Sequence, residues 1–188
     1  MSLPDIPRLY TALAEWLACT MYLLPLRPRF GRAATLLCSA AWLAGLGIFL
    51  QLTGNVPLAW WIPCMVTAVA AMFLYIYVCC SVTAADAGYC CARAFILAEF
   101  AASLEWQLHC MLWPELGGGA PPALLLLAAV YTAVYGLVHR LEFRRLRQHP
   151  ALGITGRALA SAVIMALAAF AVSNFTFAQQ GEVTMSVF

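Results

Sequence analysis

Glu105 and His109 stand four residues apart inside an apolar run. On a helix that spacing puts both side chains on one face. An acid and an imidazole so placed can hold one another by a hydrogen bond, or supply two ligands to a metal ion. Two ligands are too few for a metal site, and no further Cys or His pairs with them, so no metal is expected. Two readings stay open for the pair: a polar clamp between helices, or a contact to a ligand or signal, for which Glu99 is a candidate as well. Glu99 lies about 240° around the same helix from Glu105, so the two acids do not form a paired-carboxylate site for acid–base chemistry.

The remaining polar residues in apolar surroundings are few. Arg93 falls near the start of the same run, where a long cationic side chain can snorkel to a membrane boundary. With Arg93 at the inner boundary, Glu99 lies about 9 Å deeper and Glu105 about 18 Å deeper, past the bilayer centre. Glu15 is a lone acid in the first apolar run and is expected to bond a neighbouring helix. Ser173 and Asn174, near the end of the last run, can bond across helices or be read from outside by a ligand. Cys79-Cys80 and Cys90-Cys91 are separated by nine residues. They read as inert thiols, as acylation sites or, least well, as metal ligands. The chain contains no GxGxxG, Walker-type loop, HExxH or nucleophile elbow, so no cofactor and no catalytic residue is expected.

The elements that carry these residues follow from composition. Of 188 residues, 64% are apolar and only 10% are charged. A soluble domain of this size cannot hide so much apolar surface, whereas a bilayer favours it. A spanning helix needs about 20 mostly apolar residues. Six candidates appear, over roughly 9–26, 33–52, 58–80, 92–113, 122–139 and 157–178. The fold class is therefore all-α, a polytopic membrane bundle, with residues 1–188 as one domain. Thr53 to Pro57 forms a turn cluster, and Trp113 to Pro122 forms a Gly- and Pro-rich loop. Small residues at Ala94, Ala98, Ala101, Ala102 and Ser103, and at Ala41 and Gly45, are expected to let helices approach closely.

Orientation follows from arginine. All ten basic residues are Arg. Threading the N-terminus outside puts Arg27, Arg29, Arg32, Arg93, Arg140, Arg144, Arg145, Arg147 and Arg157 at the cytoplasmic side and leaves Arg8 alone outside. The bias fixes the N-terminus outside and, after six spans, the C-terminus outside as well. The basic blocks are short and fenced by apolar runs, which argues against nucleic acid as a partner. The first apolar run contains Glu15 and has no basic flank, so it reads as a retained helix and not a signal peptide.

Asp86 to Phe95, Ala98 to Leu108 and Val172 to Phe177, together with Pro7-Arg8-Leu9-Tyr10 and Glu15-Trp16, resemble the N-terminal membrane region of bacterial GHKL-type sensor histidine kinases. The layout is similar to that of Agr-like peptide-pheromone receptors, and the resemblance covers most of the chain. It implies a further spanning helix, a dimerisation helix pair with the phosphoacceptor His, and an ATP-binding domain, which this sequence lacks. The resemblance thus implies a sensor and signal-transducing module of a two-component system in the plasma membrane, unable to phosphorylate alone. Its expected partners are the lipid bilayer, an extracellular peptide or small molecule, and a second copy of the chain. The alternative is a small multi-pass transporter or permease subunit, with Glu99 and Glu105 as proton or substrate sites. Against it, the chain shows no matching halves. A membrane-embedded enzyme fits less well, because the acids are scattered.

The arginine split generates a topology prediction. A reporter that fluoresces only in the cytoplasm is expected to light up when inserted at Arg144 and to stay dark at Gly118. The opposite pattern inverts the threading.

Overall fold

The computed structural model describes residues 8–53, 58–112, 120–148 and 153–185. Six helices follow one another: α1 (Arg8–Leu23), α2 (Arg32–Leu52), α3 (Leu58–Cys79), α4 (Ala84–Leu112), α5 (Ala120–Gln148) and α6 (Gly156–Met185). Among the described residues there is no strand, only an isolated bridge between Pro28 and Cys80. The all-α class expected from composition is what the chain adopts.

Local chemistry explains the helix ends. α1 stops before Pro25, which disfavours the helical conformation at the residue preceding it. α2 ends at Thr53, whose hydroxyl donates back to the Phe49 carbonyl at 2.9 Å. Pro63, inside α3, cannot donate to the carbonyl one turn back, and its own carbonyl accepts the Thr67 hydroxyl at 2.8 Å. Thr83 caps α4: the Asp86 N–H donates to Thr83 Oγ1 at 3.2 Å, and that hydroxyl donates to Asp86 Oδ2 at 2.8 Å. The turn into α6 passes through Gly153, whose φ of 54° lies in the left-handed region that glycine enters without strain.

Three helices differ in extent from expectation, α6 by running on from 178 to Met185. α4 begins at Ala84 and not near 92, so Asp86, Tyr89, Cys90 and Cys91 are helical. The Thr83–Asp86 cap supplies the start that apolarity alone missed. α5 continues past His139 to Gln148, because Arg, Leu and Glu sustain a helix well beyond an apolar stretch.

Four helices contain stretches long and apolar enough to cross a membrane: Arg32–Leu52, Ile62–Cys79, Ala84–Leu112 and Pro121–Glu142. α1 has 16 residues, about 24 Å of helix, and α6 has an apolar stretch over Gly156–Ala171. The exterior is apolar: Leu37 is 73% and Leu125 72% exposed. Lipid accepts such a surface and water does not.

α4 is the hub. It packs against α1, α3, α5 and α6, whereas α6 packs against α4 alone among the described residues. α1 meets α2, α3, α4 and α5. Ala12, Ala14 and Ala18 of α1 and Ala87, Ala94, Ala98 and Ala101 of α4 are all buried, so the backbones come close where the small stripe was expected. In α2 the expectation fails. Ala41 and Gly45 are exposed, and nothing lies within 4 Å of where a Gly45 Cβ would stand. Gly47 is the nearer approach there: a Cβ added to it would stand 3.5 Å from Leu9 Cδ2.

Three turns gather at one end of the bundle. The Arg29 N–H donates to the Cys79 carbonyl at 2.8 Å, and the Ser81 N–H donates to the Arg27 carbonyl at 3.0 Å. Asp86 Oδ1 accepts the Ile154 N–H at 3.2 Å, tying the turn before α6 to the start of α4. Asp86→Ala is expected to lower bundle stability in detergent by about 1–3 kcal/mol, since it strips a carboxylate from a backbone donor and a cap. Asp86→Asn, which keeps an acceptor, is expected to lose less. Equal melting of Asp86→Ala and wild type in thermal unfolding refutes the tie.

Candidate functional site

α4 carries most of the polar residues, on more than one of its faces. From its N-terminal end they are Asp86, Tyr89, Arg93, Glu99, Glu105 and His109. Each level meets a different neighbour.

At the Arg93 level the guanidinium forms an ion pair with Glu142 of α5. Arg93 Nη1 also donates to the Tyr89 hydroxyl at 3.4 Å. The guanidinium lies 5.9 Å from the ring centre of Tyr22 and 5.6 Å from that of Tyr89. Arg93 was expected at a boundary, but its partner was not foreseen. The signal was available, since Glu142 is the only acid in the basic block from Arg140 to Arg147.

Glu99 is half-buried, and Glu15 on α1 is close enough to it for the carboxylates to interact electrostatically. Glu15 is 1% exposed, and neither of its oxygens takes a hydrogen bond among the described residues. It therefore does not make the interhelical bond expected of it. Its surroundings include the thiols of Cys19 and Cys91.

Glu105 and His109 share a buried face. His109 Nδ1 lies 3.8 Å from Glu105 Oε1, within ion-pair reach and longer than a hydrogen bond. The imidazole stacks on Trp106 at 5.6 Å with the planes 6° apart. Ser173 and Asn174 fall on α6, and their side chains lie outside the described residues. Among the described residues no three His, Cys, Asp or Glu side chains gather closely enough to hold a metal ion. Cys79, Cys80, Cys90 and Cys91 are buried, which removes the exposure that acylation needs.

Aromatic polar tips form a network that spacing did not reveal. The Tyr75 hydroxyl donates to Ser39 Oγ at 2.7 Å and lies 3.2 Å from Thr20 Oγ1. Trp16 Nε1 donates to the same Ser39 hydroxyl at 3.0 Å. Tyr131 and Tyr135 of α5 donate to the Tyr10 and Ala14 carbonyls of α1, at 3.0 and 2.7 Å.

Two clefts flank α6, each of about 530 Å³. One lies between α4, α5 and α6, and its polar end is the Arg93–Glu142 pair with Tyr22 and Tyr89. The other lies between α3, α4 and α6 and is apolar, with Val66, Phe73, Phe95 and Leu167 on its walls. Comparison with protein-family models, curated proteins and solved structures finds no match to this chain.

The two acid–base pairs that involve α4 differ in strength. In double-mutant cycles on unfolding, Glu105→Ala with His109→Ala is expected to couple weakly, by about 0.6 kcal/mol or less, the average for hydrogen bonds in membrane bundles. Arg93→Gln with Glu142→Gln is expected to couple more strongly, because charge, hydrogen bond and ring contacts act together. A larger coupling for the first pair overturns this ranking.

Proposed function

We propose that the chain is a membrane-embedded sensor and signal-transducing module of the kind that precedes a two-component histidine kinase. In this reading it spans the plasma membrane six times, with its N-terminus outside. The observation that supports it best is the attachment of α6, which among the described residues packs on α4 alone and is flanked by a cleft on either side. A helix held by one neighbour can take two packings whose populations a signal biases. The turn that carries Arg27 and Arg29 gathers at one end with those at Ser81 and Ile154, which is in keeping with a single arginine-rich side. The signal, a peptide or small molecule, reaches the outer half of the bundle, near Glu105 and His109. The exposed apolar face of α2 suits lipid or a second copy of the chain.

The buried carboxylates of Glu15 and Glu105 favour a second reading, a small proton-coupled transporter. Stoichiometric solute uptake by proteoliposomes, driven by a pH gradient, supports that reading over the first.

Gly88 separates α4 from α6. A Cβ there stands 3.3 Å from Leu159 Cδ1 and 3.9 Å from Phe73 Cε2. Gly88→Ala needs only a small turn of the Leu159 side chain, whereas Gly88→Leu wedges α6 away. In a fusion to a kinase core through one added spanning helix, Gly88→Leu is expected to change autophosphorylation by about fivefold or more without added signal. Gly88→Ala is expected to stay near wild type. Equal kinase activity in all three, with the bundle intact, refutes a role for α6 in output.

A further inference from the structure

The cleft between α5 and α6 joins a charged end to an apolar one. Arg93, Glu142, Tyr22 and Tyr89 form the charged end, and Ile96, Phe100 and Met165 continue the wall. From Arg93 to Phe100 that wall runs about 10 Å along α4. α5 and α6 do not meet among the described residues, so the cleft opens sideways between them, toward lipid.

The charged end has unused capacity of both signs. Arg93 remains 35% exposed in its pair with Glu142. It places Nη2 on Glu142 and Nη1 on Tyr89, and a guanidinium has five N–H donors, so some are left over. Glu142 Oε2 is buried and takes no well-formed hydrogen bond among the described residues, with the Tyr22 hydroxyl near that carboxylate. A carboxylate oxygen withdrawn from water without a donor is costly. The rings of Tyr22 and Tyr89 offer faces that attract a cation.

A ligand that brings both a phosphate and an N–H cation answers all three features. A pure anion meets Glu142, and a pure cation meets Arg93. A quaternary ammonium has no N–H for Glu142 Oε2. The apolar wall beyond asks for a hydrocarbon chain on the same molecule. We propose that this cleft binds a zwitterionic glycerophospholipid with a primary ammonium, of the phosphatidylethanolamine type. Its phosphate sits on Arg93, its ammonium on Glu142 Oε2, and one acyl chain lies along Ile96, Phe100 and Met165.

Depth agrees with this assignment. α4 has 29 residues and is about 43 Å long, against about 30 Å of hydrocarbon. Arg93 lies about 14 Å from its first residue, and helical side chains tilt back toward the N-terminus. The guanidinium thus reaches toward the headgroup layer. This inference goes beyond the sensor reading and stands on the cleft alone, so a transporter would carry the same site.

Native mass spectrometry of the full chain tests it. Delipidated protein is returned to nanodiscs holding phosphatidylethanolamine, phosphatidylglycerol and phosphatidylcholine in equal amounts, then released, and the retained lipid is weighed. Wild type is expected to keep phosphatidylethanolamine about tenfold over the other two, a difference of about 1.4 kcal/mol. Arg93→Gln with Glu142→Gln is expected to flatten the preference. Met165→Trp fills the apolar end from an exposed position on α6 and leaves the ion pair in place, so it keeps the test decisive should the double variant misfold. It is expected to cut phosphatidylethanolamine retention about fivefold, as a modest coupling energy would. Free O-phosphoethanolamine is expected not to displace the lipid. Equal retention of the three lipids by wild type overturns the proposal, and so does undiminished retention in Met165→Trp. Displacement by O-phosphoethanolamine also overturns it, by making a soluble zwitterion the occupant.

Discussion

The close approach of α1 and α4 holds the bundle together. Lipid supplies no hydrophobic drive between helices, so association depends on packing and on hydrogen bonds. Alanines provide the packing. Ala14 and Ala18 on one side, and Ala87, Ala94, Ala98 and Ala101 on the other, are at most 2% exposed. With no side chain beyond Cβ, they lose no rotamer freedom on burial. Larger residues there would push the helices apart and open every contact that α3, α5 and α6 make with the same pair.

Polar groups inside such a bundle have no water to fall back on, and the tyrosines show how that is managed. Tyr131 and Tyr135 cap α1 carbonyls from α5, and Tyr75 spans from α3 to Ser39 of α2. Each presents an apolar ring to its neighbours and a hydroxyl to one acceptor. The acids are treated less evenly. The Asp86 carboxylate accepts from the Thr83 hydroxyl and the Ile154 backbone amide, whereas Glu15 and one oxygen of Glu105 are buried without a donor among the described residues.

Apolar runs locate helices well where turn residues bound them on both sides. α2 and α3 begin and end within one residue of expectation, between Gly31, the Thr53–Pro57 cluster and Ser81. Where polar residues continue a helix, apolarity misleads. The start of α4 is set by a Thr83–Asp86 cap, and the end of α5 is carried by charged helix formers. The small stripe of α4 was legible because seven- and four-residue spacings keep alanines on one face. The role of Gly45 was not, because one glycine in an apolar helix does not say which face meets protein and which meets lipid. Of the candidate site, the acids and Arg93 stood out by being expensive. The Arg93–Glu142 pair joins residues 49 apart on different helices, and the tyrosine bonds to α1 join residues 121 apart. No local spacing encodes such pairs.

The position of Glu15 sets a condition on biogenesis. A carboxylate at mid-membrane costs a helix about 2.5–3.5 kcal/mol on insertion scales. α1 is short, and Glu15 lies within electrostatic reach of Glu99 and Cys91 of α4, which the ribosome delivers some seventy residues later. At a typical 5–20 residues per second, that interval lasts roughly 4–14 seconds. In the proposed six-span threading, α1 has to spend that interval at the translocon, in the shelter of α2 and α3, or outside the hydrocarbon. The first helix in the chain is thus among the last to reach its final environment, and assembly of the bundle is decided when α4 emerges.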